Sequence, residues 1–96
     1  MVEITIQHKE SESKGAFFVE QNGAMVAEMT YSKAGADKFI IDHTFVDELL
    51  SGQKVGARLV KASVEYAREN SLKILPLCPF ANAEFRKHPE YSDVKA

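Results

Sequence analysis

A single cysteine, Cys78, among 96 residues excludes an internal disulfide. A reducing, cytoplasmic setting is therefore expected. No apolar run approaches the roughly 20 residues that cross a bilayer as a helix. The opening "MVEITIQHKE" alternates rather than forming a charged-then-apolar leader, so neither a signal peptide nor a membrane partner is expected. A basic excess is missing too: 12 Lys and Arg stand against 14 Asp and Glu, for a net charge of -2. Nucleic-acid binders usually carry a basic face, so no nucleic-acid partner is expected. His, Cys, Asp and Glu nowhere fall at metal-ligand spacing, and no metal is expected. Internal repeats, low-complexity tracts and the phosphate-binding patterns GxxxxGK[ST] and GxGxxG are missing as well.

What is present is an ordinary globular balance, 45% hydrophobic and 27% charged. The length suits one domain over residues 1–96, with a small core. Alternation predicts strands at "VEITIQ", "AFFVEQ", "AMVAEMTYS" and "FIIDHTFV". Asn22-Gly23 between the second and third is a hairpin signal, while "HKESESKG" reads as a solvated loop. From Gln53 to Asn70 the period changes. Val55, Leu59, Ala62 and Tyr66, with Val60, Val64 and Ala67 beside them, form the stripe of an amphipathic helix. "KILPLC" reads as a fifth strand, with Pro76 at an edge, bulge or splayed end. "FANAEFRKH" reads as a short helix stopped by Pro89. The expected fold is α/β, ordered β-β-β-β-α-β-α. Its mixed sheet is mostly antiparallel, and a helical crossover makes the last strand pair parallel.

The segment Ser51-Gly52-Gln53-Lys54-Val55-Gly56 admits two readings. A helix N-terminus has unpartnered N–H groups and a positive dipole end, so an anion can sit there, helped by Lys54 and Arg58. Alternatively Ser51 caps the helix, Gly52 turns the chain and Gly56 is a packing notch. The flanking segments "HTFV" and "LPLCPFANAEFRKHPEY" resemble the small, single-domain branch of the GCN5-related N-acetyltransferases. That branch has a Pro-x-Cys-Pro-Phe segment and a terminal His-Pro-Glu-Tyr. The family's loop pattern is Arg/Gln-x-x-Gly-x-Gly/Ala; here Gly56 matches, Ser51 replaces Arg/Gln and Lys54 replaces the middle glycine.

The resemblance implies acetyl-coenzyme A as acetyl donor, bound from Val46 to Ala57. Its pyrophosphate would lie on the N–H groups of Gln53, Lys54, Val55, Gly56 and Ala57, beside Ser51, Gly52 and Arg58. Its pantetheine arm would pair with backbone at Phe45 and Val46 and meet Asn82. The fourth and fifth strands would splay around the thioester. Acetyl transfer then needs a base and a proton donor for the leaving thiolate. Cys78, at the end of the fifth strand, and His43, on the fourth, are the expected catalytic residues. His43 would share a face with Ile41 and Phe45 and could activate Cys78. A buried, inert cysteine and a hydrogen-bonded histidine are the plainer alternatives. Asp47 and Glu48 read as capping or solvated, His88 and Tyr91 as structural, and Phe17, Phe18 and Phe39 as core; His8 is given no role. Larger members carry helices between the first two strands, and here only "HKESESKG" stands there. The acceptor, an amine or a thiol, is therefore unidentified. A monomer is the expected state. The alternative function is a non-catalytic acyl-coenzyme A binding or protein-interaction module.

Overall fold

Asn22 and Gly23 turn the chain back on itself, both with positive φ (53° and 78°), the geometry Asn-Gly favours in two-residue hairpins. They join β2 (Lys14–Gln21) to β3 (Ala24–Lys33). A second turn, with Gly35 at φ 77°, leads into β4 (Lys38–Val46). The computed structural model describes residues 4–50 and 52–96, Leu49 without its side chain.

The first strand departs from expectation. β1 is Gln7–Glu10, and Ile4 to Ile6 lie outside the ladder. The cause is the turn that follows: Ser11 N–H donates to the Lys14 carbonyl at 2.7 Å. That closes a hairpin in which Glu10 faces Gly15 and His8 faces Phe17. Of the segment expected to be a solvated loop, residues 11–13 form the connection, Lys14 and Gly15 open β2, and residues 8–10 thus belong to an edge strand. Its charged residues suit an edge that must not recruit another strand. Ile4 and Ile6 still pack against the core from outside the sheet.

All five strands form one sheet in the order β1-β2-β3-β4-β5. After a 3-10 turn at Glu48–Leu50, α1 (Val55–Asn70) crosses over to β5 (Lys73–Pro76), which pairs parallel with β4. The short α2 (Pro79–Lys87) and a 3-10 segment (Pro89–Val94) follow. The apolar stripe of α1 (Val55, Leu59, Val60, Val64, Ala67) packs in one core with Phe17, Val19, Met29, Tyr31, Phe39 and Ile41 from the sheet and Ala81 and Phe85 from α2. Phe18, also buried, lies on the sheet's opposite side beneath Lys9, whose ammonium is 5.1 Å from the ring centre. The C-terminus covers the edge of β5, where Ala96 N–H donates to the Ile74 carbonyl at 2.8 Å.

Two irregularities shape the site. Opposite β3 the register slips once: Tyr31 faces Ile41 and Thr30 faces His43, so Asp42 is an extra residue. A bulge of this kind reverses the alternation beyond it. Phe39 and Ile41 point into the core, and past the bulge Thr44 and Val46 take that side, opposite Met29 and Ala27. His43 and Phe45 are turned to the face without helices, so His43 does not share a face with Ile41. The β4–β5 ladder ends at Ile41 and Pro76, whereas β4 runs on to Val46. The last link is Cys78 N–H to the Ile41 carbonyl at 3.1 Å. The two strands part there, with Pro76 as the final residue of an edge strand, where its missing N–H costs no ladder bond.

Candidate functional site

Beside Val46 at the end of β4, the N-terminal turn of α1 and one face of α2 face each other across a groove of about 540 Å³. Val46, Gly52, Lys54, Val55, Gly56 and Ala57 line one side; Phe80, Glu84, Lys87 and His88 line the other. Leu50 lines it as well. The spacing of the second set, i, i+4, i+7, i+8, is one face of a helix.

α1 starts abruptly. Lys54 adopts a left-handed conformation (φ 56°, ψ 34°) at the N-cap position and makes no side-chain cap. The first helical bond runs from Arg58 N–H to the Lys54 carbonyl, which leaves the preceding N–H groups without an intrahelical partner. Left-handed backbone at position 54 explains why the family pattern has glycine there: an L side chain is strained in that region. Gly56 serves a different need. A Cβ on it would come within 2.5 Å of Phe80 Cζ, because the Phe80 ring lies on the helix backbone at that point. Gly56 is thus the packing notch that one reading of the loop foresaw.

Cys78 holds the N-cap position of α2 and is 7% exposed. Its Sγ lies 3.4 Å from Thr44 Oγ1, across the opening between the strands. Burial pushes its thiol pKa up. The Thr44 hydroxyl and the N–H groups of Ala81 and Phe80 outweigh that, and the net direction is below the ordinary thiol value. A thiol held this way is more thiolate-like than a buried cysteine without donors.

The other expected residues fall into distinct places. His43 is exposed on the far face of β4 from Thr44, so the structure pairs Cys78 with Thr44 and not with the imidazole. Phe45 is 45% exposed on that same far face. The Gln53 N–H is committed to the Leu50 carbonyl at 3.2 Å. Arg58 donates to the Ile4 carbonyl at 3.0 Å, tying the chain start to α1. Asn82 donates from Nδ2 to the Pro76 carbonyl at 3.4 Å and from its N–H to the Cys78 carbonyl at 2.9 Å, so it braces the turn that carries Cys78. Ser51 lies outside the described residues. The sequence reading missed Leu50, Phe80, Glu84, Lys87 and His88 as lining residues. The helical spacing of the last four was the signal that could have found them. Among the described residues no group of three or more His, Cys, Asp and Glu could hold a metal ion.

The family model described as GCN5-related N-acetyl-transferase matches residues 16–94. No match was found among curated proteins. Among solved structures, a GCN5-like candidate N-acetyltransferase from Staphylococcus aureus is 42% identical, over 94% of this chain and 87% of that one, with a TM-score of 0.69. A ribosomal-protein-alanine N-acetyltransferase from Brucella melitensis biovar Abortus shares the fold at 17% identity and a TM-score of 0.62, over 90% of this chain and 64% of that one. AAC(6')-Iy, solved with the bisubstrate analogue CoA-S-monomethyl-acetylneamine, shares it at 11% identity and a TM-score of 0.54, over 84% and 62%. With a family match over most of its length and a solved relative this similar, the chain belongs to the GCN5-related N-acetyltransferase family.

Proposed function

We propose that this protein binds acetyl-coenzyme A in the groove between α1 and α2 and transfers the acetyl group to an amine, with Cys78 at the reacting thioester. It reads as a member of the small branch carrying Pro-x-Cys-Pro-Phe and His-Pro-Glu-Tyr. The observation that carries the proposal is adjacency: the open first turn of α1 lines a groove that reaches Val46 at the end of β4, and Cys78 is held against Thr44, two residues back along the same strand. An anion is favoured at such a helix N-terminus. Here the N–H groups of Lys54, Val55, Gly56 and Ala57, with Gly52 and the Lys54 ammonium, suit a pyrophosphate. The thioester supplies the activated acyl carbon. Val46, at the end of β4, offers backbone to an extended arm, and Asn82 holds the Cys78 turn in place.

The chain's own chemistry is concentrated at Cys78 and Thr44. As thiolate, Cys78 could attack the acyl carbon: its sulfur gains the acyl bond while the donor's C–S bond breaks, and the departing thiolate takes a proton from water. As thiol, it could instead protonate that leaving sulfur when an amine attacks directly. His43, on the far face of β4, is the candidate base for an acceptor arriving from that side.

The test is intact-mass analysis of wild type and Cys78→Ala after incubation with acetyl-coenzyme A, with a coenzyme A titration alongside. Gain of one acetyl group, absent in Cys78→Ala and labile to hydroxylamine, assigns the acyl-acceptor role to Cys78. Binding without gain assigns direct transfer. In that case His43→Ala should lower kcat on an amine found by screening. Absence of coenzyme A binding would overturn the proposal.

A further inference from the structure

The α2 side of the groove carries a charge arrangement that the acyl chemistry leaves unused. Glu84 is one of two buried polar or charged residues among the described residues, 5% exposed. Burying a carboxylate is costly unless cations balance it. Lys87 Nζ supplies one 3.5 Å away, and His88 Nε2 lies 3.6 Å from the other carboxylate oxygen. These are loose ion contacts rather than short hydrogen bonds. Lys87 keeps 69% of its side chain exposed, so its ammonium has donors to offer a second anion while it stays beside Glu84. His88 is steadied from its other side, with Nδ1 3.1 Å from Glu90 and its ring stacked on Tyr91. Glu84, Lys87 and His88 all line the groove, and so does Lys54.

Position gives the arrangement a purpose. Phe80 sits on Gly56, at the first turn of α1. From Phe80 to His88 a helix rises about 12 Å, so Lys87 and His88 stand about two turns beyond the proposed pyrophosphate seat. An anion there would belong to the nucleotide end of the donor, separated from the pyrophosphate by a ribose.

We propose that Lys87 and His88 form a subsite for the phosphomonoester on the donor's ribose, and that Glu84 holds both side chains toward it. This rests on the reading of the groove as a coenzyme A site. The subsite makes the protein selective for coenzyme A over its 3′-dephospho form. Glu84 is a positioning residue: it lies between Lys87 and His88 and keeps both side chains on the groove side of α2.

The experiment is calorimetric titration of the full chain with coenzyme A and with 3′-dephospho-coenzyme A, for wild type, Lys87→Ala, Glu84→Gln and Lys61→Ala. Lys61 is exposed on α1 and does not line the groove. Wild type should bind coenzyme A about tenfold more tightly than the dephospho form, as one charge-assisted contact predicts. Lys87→Ala should erase that ratio by weakening coenzyme A alone, and Glu84→Gln should reduce it. Lys61→Ala should leave the ratio intact. Equal affinities in wild type, equal loss for both ligands in Lys87→Ala, or the same loss of the ratio in Lys61→Ala would overturn the subsite while leaving the groove reading standing. Binding of neither ligand to wild type would overturn both.

Discussion

Two glycines in this protein do the same job at opposite ends and with different consequences. At Gly15, on β2, a Cβ would overlap the ring of Tyr31; at Gly56, on α1, it would overlap the ring of Phe80. Each glycine is a notch that seats an aromatic ring against backbone. The Tyr31 ring is 1% exposed and sits among Phe17, Phe39 and Tyr66, with its hydroxyl 2.6 Å from His8 Nε2. The Phe80 ring is 39% exposed and borders the groove. One notch closes the core; the other sets a wall that can still move. The same packing device thus closes the core at the β1 edge and shapes one wall of the groove between α1 and α2.

Adding a methyl at each notch should separate the two roles. Gly15→Ala has no exit for the Tyr31 ring, which is packed on all sides. Overpacking of this kind costs about 1–3 kcal/mol, and the upper end is expected. Gly56→Ala should cost less than about 1 kcal/mol, because Phe80 can swing toward solvent. Its effect should appear in the donor's KM, and Phe80→Ala in the same background should cancel the stability cost without restoring KM. Urea titrations of the three variants, beside steady-state kinetics, measure both quantities. Equal destabilisation at the two glycines would mean that the half-exposed ring is as locked as the buried one.

The hydroxyls at the two ends extend the contrast. Burial holds the Tyr31 phenol well above its ordinary pKa, whereas the Thr44 hydroxyl and three backbone N–H groups, of Ala81, Phe80 and Thr44, hold the Cys78 thiol below its own. Thr44→Val removes a donor that favours the thiolate. The pH midpoint of Cys78 alkylation should therefore rise, since burial then acts with one opponent fewer; Thr44→Ser should restore it. A midpoint that does not move would assign the shift to the backbone N–H groups alone.

How much of this was legible in the sequence follows from which forces act locally. Asn22-Gly23, the stripe of α1 and the crossover to β5 are local patterns, and each stands where the sequence places it. β1 was misplaced because an edge strand is selected against stickiness: its charged residues look like a loop, while apolar Ile4 and Ile6 look like a strand. The bulge at Asp42 leaves no mark in composition, yet it decides that Thr44 and not His43 meets Cys78. The roles of Gly15 and Gly56 depend on rings 16 and 24 residues away (Tyr31 and Phe80), which spacing alone cannot register. The groove's α2 side was written in plain helical spacing, but charged residues at that spacing usually mark a solvated face.

The smallest effect concerns the residue that departs from the family's glycine. Lys54 is left-handed at the start of α1, and for an L residue that conformation costs roughly 1–2 kcal/mol. Lys54→Gly relieves the strain and returns about 0.4–1 kcal/mol through the more flexible unfolded chain. The net expectation is a stabilisation between zero and about 1.5 kcal/mol, seen as a higher urea midpoint at unchanged slope. The same substitution removes a groove cation, so coenzyme A affinity should fall while stability rises. Opposite signs in the two measurements would identify Lys54 as strain kept for its charge, which has no counterpart at the closed end. If both rise, a glycine would serve this loop better in every respect, and the lysine would have no part in holding the pyrophosphate.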